Sequence, residues 1–153
     1  MAHESLLQGL NLSKRYKQSL DIGQTISVRG VSITGVSAHH PQSFYPMGFF
    51  LQCNGSSIYH AGDTAIFGDM LLYGTLYPID MALIPIGGAF TMDAMQAAKS
   101  LRLLTPKKTI PMHYGTFPMM APNADEFVKL AKKYAYGVDV SVLQPGGTYI
   151  LQP

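Results

Sequence analysis

The chain of 153 residues is 47% apolar and only 13% charged, with a formal net charge of +2, a balance that provides one substantial core and argues for a single domain over 1–153. Basic residues occur in nothing longer than pairs such as Lys14-Arg15, Lys107-Lys108 and Lys132-Lys133, so neither nucleic acid nor an anionic membrane surface is an expected partner. A single cysteine rules out a disulfide within the chain, no apolar run approaches the roughly 20 residues that span a bilayer, and the first residues lack a signal-peptide pattern; the expectation is a cytoplasmic protein with no transmembrane segment.

In chain order, Ser5 to about Gln18 has helix-forming composition, with Leu6, Leu7 and Leu10 able to share a face. His3, just before it, is expected at a frayed end and carries no assigned role. Ile26 and Val28, then Val31 and Ile33, alternate with polar residues on either side of Arg29-Gly30, which reads as a β-hairpin. A second hairpin has arms Gly48 to Cys53 and Ser56 to Tyr59 around Asn54-Gly55, the pair best suited to a tight two-residue turn. Cys53 is expected as a buried structural thiol at the end of that apolar arm. Phe67 to Leu76 reads as a short helix stopped near Pro78, and the apolar run Met81 to Ile86 as a strand buried on both faces.

Thr91 or Asp93 can cap a helix in which Met95, Ala98 and Leu101 recur, ended by Thr105-Pro106. Thr109 to Met112 is a strand that delivers His113. Asn123 with Glu126 resembles a capping box ahead of a helix whose Phe127, Leu130, Ala131 and Tyr134 share one face. Val138 to Leu143 and Thr148 to Leu151 read as two closing strands. Hairpins followed by strands alternating with helices predict an α/β domain, a mixed sheet covered by helices.

Three short segments carry the chemistry: Ser37-Ala38-His39-His40, Tyr59-His60-Ala61-Gly62-Asp63-Thr64 and Pro111-Met112-His113-Tyr114-Gly115-Thr116. His40, Asp63 and His113 each fall where a predicted strand runs into a loop, and such loops gather along one edge of a layered sheet. Imidazole nitrogen and carboxylate oxygen both bind first-row divalent cations. Taken singly, each histidine also reads as an ordinary hydrogen-bonding group and Asp63 as a turn or helix cap. His60, on the strand itself, suits a hydrogen bond that orients the site better than direct ligation. Alternation lets only one of His39 and His40 face the site. Phe44, Tyr45 and Met47, with Phe117, Met119 and Met120, line a substrate mouth, an interface, or simply packed loops.

These segments resemble the metallo-β-lactamase superfamily, in particular its uncharacterised metal-dependent hydrolases related to ascorbate-phosphate lactonases and the N-acyl-phosphatidylethanolamine phospholipase D group. The most specific stretches are Ile58 to Met70, Ala82 to Asp93 and Ile110 to Pro118. The resemblance implies an αββα fold, His40 and His113 as ligands to different metals, and Asp63 bridging them as the catalytic carboxylate. It also implies zinc, with manganese or iron as alternatives, and hydrolysis of a phosphodiester, ester or lactone by a metal-bridged hydroxide. Tyr45 and Tyr114 are candidates for contact with a small-molecule or lipid-like substrate.

The departure from the family pattern matters as much. No His-x-His-x-Asp-His stretch occurs in the chain, and in the family that stretch supplies four of the ligands. The chain therefore looks like the carboxy-terminal part of such a hydrolase. Low metal occupancy, and either a complementary amino-terminal half or a homo-oligomer as partner, are the expectations. A non-catalytic remnant serving as a binding or oligomerising module is the alternative.

Overall fold

A computed structural model describes residues 2–152. Seven strands form one mixed sheet in the order β1 to β7: β1 (Thr25–Val28), β2 (Val31–Ser37), β3 (Met47–Cys53), β4 (Ser56–His60), β5 (Met81–Pro85), β6 (Lys108–Met112) and β7 (Asp139–Val140). The first four pair antiparallel and the last three join them in parallel. The antiparallel pairs are joined by two-residue turns at 29–30 and 54–55 and by the loop 38–46, whereas the parallel steps pass through helices α2 (Met70–Leu76), α3 (Ala94–Leu104) and α4 (Asp125–Tyr134). Asn54 and Gly55 take φ of 49° and 80°, as the tight turn between β3 and β4 requires.

The register puts Phe50, Tyr59 and Ala82 side by side on one face. With Ile84 they are fully buried, beneath Leu101 and Leu104 of α3 and Phe127 of α4. Phe50 and Tyr59 stand 4.9 Å apart, and Tyr77 stacks on Phe50 at 4.1 Å. The directly paired residues Phe49 with His60 and Leu51 with Ile58 necessarily share the opposite face. Phe49, Leu51, Ile58 and Leu83 there are only half-buried, and a shallow cavity of about 240 Å³ opens among Ile33, Phe49, Leu51 and His60.

Several boundaries differ from the sequence expectation. The first helix, α1 (Glu4–Gln8), covers a single turn and a half, and a separate 3-10 turn spans Lys14–Tyr16. Only Leu7 finds a buried place while Leu6 and Leu10 stay exposed, and so short a helix is not held by propensity alone. α2 starts at Met70, since Phe67 and Gly68 belong to the turn before it. Asp93, not Thr91, caps α3 by accepting a hydrogen bond from the Gln96 amide at 2.7 Å. At α4 no capping box forms: Asn123 Oδ1 accepts from the Asp125 amide, an Asx turn placed one residue early.

Cys53 is exposed rather than buried, because it ends β3 at the hairpin tip, where no helix covers it. The closing strands shrink to β7, and nothing from 141 to 152 joins the sheet as a strand. Pro145 and the two glycines after it favour a turn there, and the tail lies near the β6 edge with Tyr149 under Lys108 Nζ.

Candidate metal centre

The loops that follow β2, β4, β5 and β6 all leave the same edge of the sheet, as the pairing directions require. At that edge the structure brings Asp63 and His113 together, with His113 Nε2 at 3.4 Å from Asp63 Oδ1. Both side chains are partly open to solvent, 44% for Asp63 and 34% for His113. Their contact is longer than the usual hydrogen bond.

His113 reaches this place through an unusual backbone. Its φ is 57°, a left-handed conformation that costs a non-glycine residue on the order of 1–3 kcal/mol unless its surroundings enforce it. The surroundings do so. Ile86 N–H donates to Met112 O, Ala121 N–H donates to Gly87 O, and Gly115 N–H donates to Ala121 O, all within 3.0 Å. Gly87 lies so close beneath that a Cβ there would stand 2.2 Å from His113 O and 2.4 Å from Met120 Cε. Glycine at 87 is therefore what lets the β5 and β6 loops press together.

His40 lies on the neighbouring loop, where its Nδ1 is 3.2 Å from Phe90 O. A carbonyl only accepts, so this contact puts the ring proton on Nδ1 and turns the Nε2 lone pair outward, the tautomer a metal-ligating imidazole uses. His40 does not join the other two: among the described residues no three His, Cys, Asp or Glu side chains are grouped to hold a cation. His39 is directed differently, its ring stacked on Phe67 at 4.3 Å.

Thr64 ties these loops together and was not singled out from the sequence. It is fully buried. Its hydroxyl accepts from His39 N–H at 2.9 Å and donates to Ala65 O at 2.8 Å, while Ala65 N–H donates to His39 O and Met92 N–H to Thr64 O. The one available signal was its place after Asp63 in a turn, where a hydroxyl can bond the local backbone.

His60 lies on the open face of the sheet, where Nδ1 accepts from Gly62 N–H at 3.1 Å and so shapes the turn that presents Asp63. Burial holds its pKa below the ordinary 6.5, despite opposing contributions from its backbone hydrogen bond and from Asp63, which keeps Nδ1 an acceptor at neutral pH. Tyr45 stands on the 39–46 loop with its ring on His3 at 3.7 Å. Tyr114 turns its ring partly into the helix-side core and borders a cleft of about 430 Å³ with Asn123, Asp125 and Val142. Of the other loop residues Met120 is buried, whereas Phe44, Phe117 and Met119 are exposed, and Phe90 beside His40 is exposed too.

The donors that meet, one carboxylate and one imidazole, are chemically apt for a divalent cation. As a pair they fall short of the three protein ligands of a catalytic zinc, so they fit one side of a metal centre and not the whole.

A mixed sheet with helices on one face and candidate metal ligands on the loops at one edge defines the class. The model of the β-lactamase superfamily domain matches residues 3–114, and the chain belongs to that superfamily. Among its relatives are proteins named UPF0173 metal-dependent hydrolases. That of Methanopyrus kandleri is 39% identical over 142 residues, 86% of this chain and 62% of that protein, and that of Thermococcus kodakarensis is 46% identical over 127 residues, 78% and 55% respectively. The chain thus spans less than two thirds of the length of these curated relatives. Among solved structures it is similar to Igni18, a metallo hydrolase from Ignicoccus hospitalis, with a TM-score of 0.84 and 32% identity over 97% of this chain and 66% of that one.

Proposed function

We propose that the chain furnishes one side of the active centre of a metal-dependent hydrolase that cleaves a phosphodiester, ester or lactone bond in a small or lipid-like substrate. The observation that carries this reading is the meeting of Asp63 and His113 at the loop edge of the sheet, 3.4 Å apart. Asp63, His113 and, after a movement of its loop, His40 would hold the cation. Zinc suits this donor set best, with manganese or iron as alternatives. A cation there supplies Lewis acidity and lowers the pKa of water. His60 acts through Gly62 by fixing the turn before Asp63, and Tyr45 and Tyr114 would contact the substrate.

With only two donors in contact, the centre needs ligands from outside residues 2–152. The part of the relatives' length that this chain does not match is the natural source, whether it stands on the same polypeptide or on a complementary amino-terminal one, and the half-buried face around Phe49 and Leu51 suits its packing. A homo-oligomer could cover the same face but would bring no new ligand type. One domain over 1–153 completes this reading.

The test is to mix the chain with an amino-terminal half bearing His-x-His-x-Asp-His from a relative, then measure bound metal and hydrolysis of bis(p-nitrophenyl) phosphate and a simple lactone. About two metals per complex and turnover are expected. No uptake by the mixed chains would overturn the reading. It would favour the second one, a non-catalytic binding or oligomerising module, for which the separation of His40 from the other donors speaks.

A further inference from the structure

We propose that His3 is a positioning residue: with Asp21 it straps the 39–46 loop, and through it His40, to the edge of the sheet at the mouth of the site. The loop leaves β2 after Ser37 and returns at Met47, its neck closed by Ala38 N–H donating to Pro46 O at 3.3 Å and its first turn by Ser43 N–H donating to His40 O at 3.0 Å. Beyond the neck, the outer part carries Phe44, 95% exposed, and Tyr45. An excursion of this kind needs an external hold to stay in one place, and the His3 ring provides one, nearly parallel to Tyr45 at an interplanar angle of 12°.

His3 is itself held at both ring nitrogens. Ser5 N–H donates to Nδ1 at 3.3 Å, and the Ser5 hydroxyl lies 2.7 Å from the same atom. Nδ1 is therefore the acceptor, the proton sits on Nε2, and Nε2 lies 3.3 Å from Asp21 Oδ1. Asp21 in turn is locked to the sheet. Gly23 N–H donates to Gly35 O, Gly35 N–H donates to Gln24 O, and Asp21 O passes so near β2 that a Cβ on Gly35 would stand 2.6 Å from it. A continuous line of contacts thus runs from Gly35 in β2 through Asp21 and His3 to Tyr45, five residues beyond His40. The backbone on either side is tied down as well, with Leu20 N–H donating to Ala2 O.

The consequence for catalysis rests on the function proposed above; the strap itself does not. The chain contains no tryptophan, so Tyr45→Trp installs a single fluorophore in the stack. In that background His3→Ala is expected to raise acrylamide quenching and to speed amide exchange of Ser43 by about tenfold, as for a loop released to local opening. His3→Phe, which restores the stacked ring, should return both close to the parent values. Asp21→Asn, which keeps the ring and weakens only its anchor, should fall between. If His3→Ala leaves quenching and exchange unchanged while the fold is intact by circular dichroism, or if His3→Phe fails to rescue, the strap is refuted. In the assembled hydrolase the same His3→Ala change should lower bound metal and kcat severalfold through His40, with His3→Phe restoring both; unchanged metal content and kcat would remove the positioning role.

Discussion

The two faces of the central sheet are made by the same strands and could hardly be finished more differently. Toward the helices, Phe50, Tyr59, Ala82 and Ile84 are fully buried; one residue along in each strand, Phe49, Ile58 and Leu83 remain half-buried beside an open cavity. On that second face Ile33, Met81 and Ile110 are buried, so the opening is local to Phe49, Leu51, Ile58 and Leu83. An apolar residue alone does not make a core. The metal-ligand candidates sit on the rim between the two faces, close to the opening at Phe49 and His60.

Six substitutions, one of them read against pH, probe that contrast, beginning with the largest effect. In the assembled hydrolase Asp63→Asn should lower turnover by about a thousandfold or more if the carboxylate holds the cation as proposed, yet leave thermal stability of the chain alone nearly unchanged, because Asp63 is partly exposed. Phe50→Ala on the finished face should cost about 3–5 kcal/mol in chemical denaturation. Leu51→Ala, its neighbour on the open face, should cost about 1 kcal/mol or less in the chain alone and clearly more once a partner covers it. Equal costs at 50 and 51 would dissolve the comparison. Gly87→Ala should cost about 2–3 kcal/mol through the collision with His113 O and should disturb the rim more than either face.

Smaller effects follow at the sheet's other end. Asp80 accepts from Lys107 Nζ at 2.7 Å and from Ser57 N–H at 2.8 Å. The lysine first, and the amide second, hold its carboxyl below the ordinary 3.8, against a modest opposing effect of burial. Because the folded pKa is the lower one, Asp80 contributes its full stabilisation above the unfolded value, and that contribution is lost as the pH falls through the folded value. Asp80→Asn should therefore flatten the loss of stability below about pH 4, read from urea midpoints across that range. Least of all, Cys53→Ser should shift stability by no more than about 0.5 kcal/mol.

The hairpins were legible because period-two alternation and Asn54-Gly55 specify local geometry that tertiary packing merely confirms. α3 was legible for a related reason, its apolar residues and the Asp93 cap agreeing with each other. The ends of the chain were not. Leu6, Leu7 and Leu10 look like a helical face, but two of the three stay exposed, and after Val140 the alternation pairs no further with β6, where Pro111 has no N–H to donate. At the site, the motifs placed Asp63 and His113 on one edge. They gave no hint that His113 would take a left-handed backbone, since that depends on Gly87, 26 positions away. His3 was unreadable for the same reason: its partners Asp21 and Tyr45 are neighbours only after the first turn of chain has crossed the sheet edge.

The placement of Cys53 has a practical side. The sole thiol of the chain stands at the tip of the β3–β4 hairpin, the end of β3 opposite to Met47 and the loops that bear Asp63 and His113. A maleimide dye attached there would give a uniformly labelled sample whose rotational tumbling reports the docking of a second polypeptide, with the reactive rim left untouched by the tag.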